Sequence, residues 1–232
     1  YTNGDYVVNC HDGVAHGELD IYGILGMSCN GAFDTIAQTL NSAKWQKLAE
    51  DFGYNQSDRS QVDFPYKKSH FDIASDDSVW SRMQLAIGQG TTTVTPLLNL
   101  MMYAAIANDG VMMTPYLVDH YLDADGNVVE QTKPKALRSV CTKAEAELMD
   151  EFLTYVITNG TAAAGGSQYA RVSGKTGSAQ YDSTKNYHAW FCGYGTNDVS
   201  EIAVCVMIEK GGAGGIVAAP VAGQIFDYYF SR

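Results

Sequence analysis

Hydrophobic residues recur at the spacing of an amphipathic helix in four stretches of the first two-thirds of the chain. The first stretch follows Ser28 and Asn30, either of which can cap a helix, and the second follows Ser42. The third opens with Thr95 and a proline, and the fourth opens with Thr142 in a Thr-x-x-Glu capping box. The sequence therefore predicts four helices, which run to about Leu40, Phe52, Asn108 and Gly160.

The pattern changes in the last third of the chain, where short apolar runs stand between turn residues. We predict three strands there, at about 169–180, 187–195 and 201–209. The turn at 196–200 joins the last two strands, and a symmetric hairpin around it places Cys192 opposite Cys205. Such a pair is either a disulfide or two buried thiols.

Turn residues define the remaining segments. Residues 1–27 are predicted to form short extended pieces and turns, and 54–94 is an irregular segment of a length that usually has a function or hides short helices. Tyr116–Leu122 and Val128–Glu130 form a hairpin. A closing helix, Pro220–Phe230, follows a glycine-rich connection and is predicted to pack through Val221, Ile225, Phe226 and Tyr229.

This order of elements indicates one α+β domain, with helices packed on an antiparallel sheet. Residues 1–165 form its mainly helical part, and residues 166–232 form the sheet strands and the closing helix. The content of 46% apolar and 18% charged residues is that of a globular protein. A net charge of −11 makes nucleic acid a poor partner, and no apolar run reaches the roughly 18 residues of a membrane span.

The strongest chemical motif is Lys175-Thr176-Gly177-Ser178, on a predicted strand. It offers a cation and two hydroxyls, which suit a carboxylate, and Gly177 lets a ligand lie close to the backbone. Lys175 and Gly177 share one face of the strand, and Thr176 and Ser178 share the other. The structural alternative is a polar edge strand with a glycine bulge.

The second motif is Ser28-x-Asn30, at the start of the first predicted helix. Serine can relay a proton, and asparagine can both donate to and accept from an amide. The structural alternative is ordinary helix capping, because serine and asparagine are common capping residues. Taken alone, this motif is weaker than the lysine motif.

Together and in this order, the two motifs resemble the second and third motifs of the serine penicillin-recognising enzymes, S-D-N and K-T-G. The flanking sequence resembles the transpeptidase domain of high-molecular-mass penicillin-binding proteins along nearly the whole chain. The matching segments are His16–Leu19, Ala86–Gly90, Val94–Leu97, Ala104–Asn108, Gly160-Thr161, His188–Phe191 and Ala219-Pro220. The resemblance implies a β-lactamase/DD-transpeptidase-like fold.

The resemblance also implies an acyl-enzyme mechanism. Such enzymes attack the D-Ala-D-Ala end of a peptidoglycan stem peptide with a serine and pass the acyl group to an amine of a second strand. β-Lactams mimic the dipeptide and stay attached. Carried over by position, Ser28 would pass a proton to the leaving amine, and Asn30 would hold the substrate amide. Lys175 would supply positive potential and a hydrogen bond to Ser28.

The rest of the lysine motif would bind substrate. By the same resemblance, Thr176 and Ser178 would contact the terminal carboxylate, and the Ser178 N–H would be one of two oxyanion donors. Gly177 would keep the cleft open. The partners implied are stem peptides, β-lactams and other cell-wall synthesis proteins, at the extracytoplasmic face of a bacterial cell membrane.

The first motif of the family, S-x-x-K, is absent, because no serine stands three residues before any lysine. That motif lies N-terminal to Ser-x-Asn in the family, and only 27 residues precede Ser28. We therefore expect this chain to be the C-terminal part of the domain, inactive alone, with the nucleophile, two sheet strands and a membrane anchor in a preceding segment. The last strand, 201–209, would then have an unpaired edge, prone to pair with another chain.

Other functions remain open at this point. A catalytically dead sensor or scaffold predicts that the full-length protein also lacks S-x-x-K. A β-lactamase is less favoured, because it needs a water-activating residue and the flanks match cell-wall synthases. For a metal or nucleotide site, the five cysteines lack zinc-motif spacing to histidine, and Lys210–Gly215 lacks the order of a phosphate-binding loop. No metal and no cofactor are therefore expected.

Overall fold

The computed structural model describes residues 1–10, 13–56, 62–182 and 186–232, so His11 and part of the predicted irregular segment lie outside the described residues. Its helices are α1 (Ile21–Gly26), α2 (Asn30–Thr39), α3 (Ser42–Asp51), α4 (Val79–Ala86), α5 (Pro96–Ala107), α6 (Lys143–Asn159) and α7 (Gly214–Phe230). Its strands are β1 (Thr2–Asn3), β2 (Tyr6–Val7), β3 (Val111–Met113), β4 (His120–Leu122), β5 (Val128–Gln131), β6 (Ala136–Ser139), β7 (Arg171–Gln180), β8 (Tyr187–Thr196) and β9 (Glu201–Ile208).

The largest sheet has the antiparallel order β7-β8-β9. Its register places Lys175 opposite Cys192 and Cys192 opposite Cys205, which confirms the predicted hairpin pairing. The two cysteines are free thiols with their Sγ atoms 3.1 Å apart. Among the described residues β9 pairs with β8 alone, so its outer edge is unpaired there; pairing of that edge with another chain stays a prediction.

Helix α7 packs on this sheet through a stripe of small residues. Ala218, Ala219 and Ala222 are fully buried, and Phe226 fills the space between the helix and Phe191 of β8. Because small side chains let the helix approach the sheet closely, the face of α7 that carries these alanines is the one that is buried. The predicted inward face was therefore correct for Phe226 and wrong for the exposed Val221, Ile225 and Tyr229.

Two of the predicted helix starts are confirmed by their caps. The Thr95 hydroxyl accepts the Leu98 N–H, with proline in the first turn of α5, and Thr142 forms a complete capping box with Glu145 at the start of α6. Helix α3 begins at Ser42 but is capped by Asn41, whose side chain accepts the Lys44 N–H. Capping chemistry thus located these ends, because side chains satisfy the first free N–H groups.

Several elements differ from the prediction. Helix α1 falls in the segment expected to be extended, and its six residues are too few to show a periodic pattern; Asp20 caps it. Helix α4 begins after the capping Ser78 inside the segment 54–94, and it is one of the short helices that the length of that segment was expected to hide. Strands β3 and β6 pair with each other and were not predicted, while the hairpin β4–β5 was. Helix α7 begins six residues before Pro220, at Gly214.

Among the described residues, no helix has both the length and the apolar character needed to cross a bilayer.

Candidate active site

The two motifs meet where β7 passes the turn between α1 and α2. The Lys175 Nζ donates a hydrogen bond to the Ser28 Oγ at 3.0 Å and another to the Thr176 carbonyl at 3.0 Å. Burial lowers the pKa of Lys175 to about 8, because the low-dielectric surroundings disfavour the charged ammonium. The juxtaposition expected from the sequence is therefore present, across 147 residues of chain.

Ser28 is held in an unusual backbone conformation. Its φ is +53°, in the left-handed region that costs a non-glycine residue about 1–3 kcal/mol. The turn is fixed because Thr161 N–H donates to the Gly26 carbonyl and Tyr155 packs against the Cα of Gly26. Cys29, not Ser28 or Asn30, occupies the capping position of α2, so the capping prediction was wrong. The Ser28 hydroxyl is instead turned to Lys175.

Asn30 is the first residue of α2, and its side chain is oriented by a neighbouring segment. The Asn30 Nδ2 donates to the Asn9 carbonyl at 2.8 Å. No described residue donates to the amide oxygen of Asn30, so this oxygen can accept a hydrogen bond from a ligand. The position of the amide thus depends on how the segment around Asn9 is held against α2.

Thr176 and Ser178 contact two other elements on the far side of the strand. The Thr176 and Thr161 hydroxyls lie 3.2 Å apart, and the Ser178 hydroxyl accepts the Gly214 N–H at 3.1 Å. The side chain of Thr161 was not predicted as a site residue, although Gly160-Thr161 was among the matching flanks. Gly177 lies between them, where an added Cβ would stand 3.3 Å from the Trp190 Cβ.

A partly buried polar network anchors β7 to α6 just before Lys175. The Asp150 carboxylate accepts hydrogen bonds from the Ser173 hydroxyl at 2.7 Å, the Tyr194 hydroxyl at 2.6 Å and the Arg171 guanidinium at 2.7 Å. Burial acts to raise the pKa of Asp150, but these three donors outweigh it and hold the pKa below its usual range. No sequence motif predicts this network, because its members are scattered along the chain.

The Cys29 side chain lies close to a second cysteine and a histidine, which are both residue types that commonly bind metals. The ligand atoms of Cys10, His16 and Cys29 all lie within 4.8 Å of one another. This group was not predicted from the sequence, because its members stand 6 and 13 residues apart and match no zinc-motif spacing. The turn between α1 and α2 brings them together.

A sequence profile of the penicillin binding protein transpeptidase domain matches residues 1–227. The chain belongs to this family. It is 29% identical over 203 residues to the peptidoglycan D,D-transpeptidase PbpA of Mycolicibacterium smegmatis, which covers 84% of this chain and 40% of that protein. The chain spans less than half the length of the first curated relatives it matches.

Solved structures of the family share the fold. The D,D-transpeptidase domain of a peptidoglycan glycosyltransferase from Eggerthella lenta has a TM-score of 0.83 at 27% identity, over 93% of this chain and 54% of that one. A penicillin G acyl-enzyme complex of penicillin-binding protein A from M. tuberculosis has a TM-score of 0.82 at 23% identity, over 92% of this chain and 50% of that one. The family resemblance and the α+β class predicted from the sequence are confirmed.

Gly214→Ala is expected to destabilise the transpeptidase domain by about 1–3 kcal/mol, since an added methyl group overpacks the junction of α7 with β7. The Cβ would stand 2.3 Å from the Gly177 carbonyl oxygen and 2.5 Å from the Trp190 carbonyl oxygen, and neither backbone group can yield alone. Urea unfolding measures the effect. Ile216→Ala, at a position 76% exposed in the same helix, is the control. Equal stability of Gly214→Ala and the wild type would contradict the packing argument.

The affinity for a ligand carboxylate is expected to fall as the pH rises through about 8. The Lys175 ammonium is charged below its pKa of about 8 and neutral above it, while the ligand carboxylate stays charged throughout. For a full-length protein that reacts with penicillin, the measurement is the concentration dependence of acylation as a function of pH. Lys175→Arg keeps its charge over this range and should remove the inflection. If the pH profile of the affinity shows the same inflection in Lys175→Arg, the titrating group is not Lys175.

Proposed function

We propose that this chain supplies the Ser-x-Asn and Lys-Thr-Gly parts of a serine-type peptidoglycan D,D-transpeptidase that cross-links stem peptides through an acyl-enzyme. The observation that carries the proposal is the 3.0 Å hydrogen bond from Lys175 Nζ to Ser28 Oγ. Membership of the transpeptidase family and the name of the mycobacterial relative support the reaction type. A purely structural role for these two residues would not require a half-buried lysine with a lowered pKa.

In the proposed reaction, the Ser28 hydroxyl carries a proton to the leaving amine. Lys175 donates to the Ser28 oxygen, which leaves the hydroxyl proton of Ser28 free to move toward the substrate. The nucleophilic serine forms an ester bond to the carbonyl carbon as the peptide C–N bond breaks. The proton that this serine loses passes through Ser28 to the nitrogen of the leaving D-Ala. The positive potential of Lys175 favours the negative charge that develops on the carbonyl oxygen.

The substrate would lie along β7. Among the described residues β7 pairs with β8 on one side only, so its other edge can receive an extended peptide by main-chain hydrogen bonds. We place the terminal carboxylate at the hydroxyls of Thr176 and Ser178, with Thr161 as an added donor 3.2 Å from Thr176. The Ser178 N–H would be an oxyanion donor, Asn30 would hold the substrate amide, and Gly177 would leave the cleft open.

The nucleophile is proposed to come from an S-x-x-K motif outside these 232 residues, because no serine precedes a lysine at that spacing here. This chain alone would then not be acylated. β-Lactams, which acylate the M. tuberculosis relative, are proposed to acylate the full-length protein at that serine. We place the protein at the extracytoplasmic face of the cell membrane, among cell-wall synthesis proteins.

Labelling with a fluorescent penicillin tests the proposal. The full-length protein that contains this chain should form a covalent adduct that survives denaturation, and excess unlabelled penicillin should block it. The 232-residue chain should not label. A full-length protein that has an S-x-x-K motif and never labels would refute the proposal. A full-length protein that lacks the motif would favour a sensor or scaffold.

A further inference from the structure

The cluster of Cys10, His16 and Cys29 has the geometry of a metal site. The two Sγ atoms are 3.8 Å apart, and both cysteines are free thiols. Two thiolates on a tetrahedral ion, with metal–sulfur bonds of about 2.3 Å, stand about 3.8 Å apart. The sulfurs are thus already at the separation that an ion between them would require.

The histidine of the cluster supplies an independent observation. The His16 Nδ1 is buried and makes no hydrogen bond with any described residue. A buried ring nitrogen without a partner is costly in a folded protein unless a donor, a water or an ion satisfies it. The cluster also lines an open cavity of about 520 Å³, bounded further by Leu19 and Ile24, so an ion and its additional ligand can enter.

We propose that Cys10, His16 and Cys29 bind a divalent cation of the zinc class. Two sulfurs and one imidazole nitrogen form a soft donor set that selects zinc over magnesium or calcium, which prefer oxygen ligands. Binding replaces the two thiol protons with metal–sulfur bonds and releases those protons to solvent. The fourth position faces the cavity, where a water or another oxygen or nitrogen donor completes the tetrahedron.

The ion would fasten the start of α2 to the preceding segment. Cys29 stands between Ser28 and Asn30, and Cys10 follows Asn9, whose carbonyl accepts the Asn30 side chain. An ion bound by both Cys10 and Cys29 would therefore fix the position of the Asn30 amide. These three ligands are positioning residues, and this consequence rests on the proposed function, whereas ion binding itself does not.

Titration of the reduced chain with Zn²⁺, and with Co²⁺ as a spectroscopic probe, tests the proposal. We expect one equivalent of Zn²⁺ and a thiolate-to-cobalt absorption band. Cys10→Ser and Cys29→Ser should weaken the band, because each leaves a single thiolate, and His16→Ala should lower the affinity for both ions. Cys141→Ser, which changes a half-buried cysteine outside the cluster, should bind as the wild type does.

Two results would overturn the proposal. One is binding that does not change in the three ligand variants, and the other is absence of stoichiometric binding by reduced, folded protein. A disulfide between Cys10 and Cys29 in protein purified without reductant, together with no binding after reduction, would replace the metal site with a redox pair. Circular dichroism of each variant separates loss of a ligand from loss of fold. Penicillin labelling of the full-length variants, measured separately, shows whether the ion supports the site.

Discussion

Lys175→Ala is expected to lower the rate at which a labelled penicillin acylates the full-length protein by about 10²–10³-fold, the loss typical of removing one preorganised electrostatic contact. The Lys175 ammonium donates to Ser28 at 3.0 Å and is partly removed from water, so its charge is screened less at the reacting carbonyl than the charge of an exposed lysine would be. Alanine removes the charge and the hydrogen bond together. The measurement is the second-order rate constant of adduct formation.

Two variants control this prediction. Lys143→Ala makes the same change at an exposed lysine that pairs with Asp109 at 2.7 Å, and its labelling rate should match the wild type. Lys175→Arg keeps the charge but not the shape of the ammonium, so part of the rate should return. If Lys175→Ala labels as fast as Lys143→Ala, Lys175 does not support acylation.

The sequence predicted elements best where local chemistry decides them. Thr95 and Thr142 mark their helix starts because capping is a contact within four residues of chain. The pairing of Cys192 with Cys205 follows from the length of one turn. Helix α1 and the inward face of α7 could not be predicted this way. A six-residue helix has no resolvable period, and the face that α7 buries is set by close contact with the sheet.

The same distinction between local chemistry and tertiary contacts applies to the candidate active site. Both motifs were identifiable from the sequence, yet the conformation of Ser28 depends on contacts that Gly26 makes with α6 and with the segment that follows it, far along the chain. The Asp150 network and the cluster around Cys29 also depend on tertiary proximity, since their members share no spacing rule. Residues expected to contact the substrate lie in recognisable sequence motifs, whereas the residues that hold them in position do not.

The supporting role of α7 makes Phe226→Ala the substitution with the largest expected cost in stability. Phe226 is fully buried and packs edge-on against Phe191, with ring centroids 6.3 Å apart, and stacks with Phe230. Removing a buried phenyl ring loses its transfer free energy and leaves a cavity, which together cost about 3–5 kcal/mol. Domains are stable by about 5–15 kcal/mol, so a substantial share of the stability would be lost.

Urea unfolding of the purified protein measures this cost, with Tyr228→Ala as the matched control. Tyr228 is 64% exposed on the same helix, so its truncation removes a ring of similar size without opening a cavity. Should Phe226→Ala prove too unstable to purify, Phe226→Leu keeps the prediction testable, because a smaller cavity leaves a measurable intermediate loss. Equal stabilities of Phe226→Ala and Tyr228→Ala would mean that α7 does not hold the sheet that carries Lys175. Loss of stability at Phe226 alone would instead show that the packing of α7 stabilises the sheet that carries Lys175.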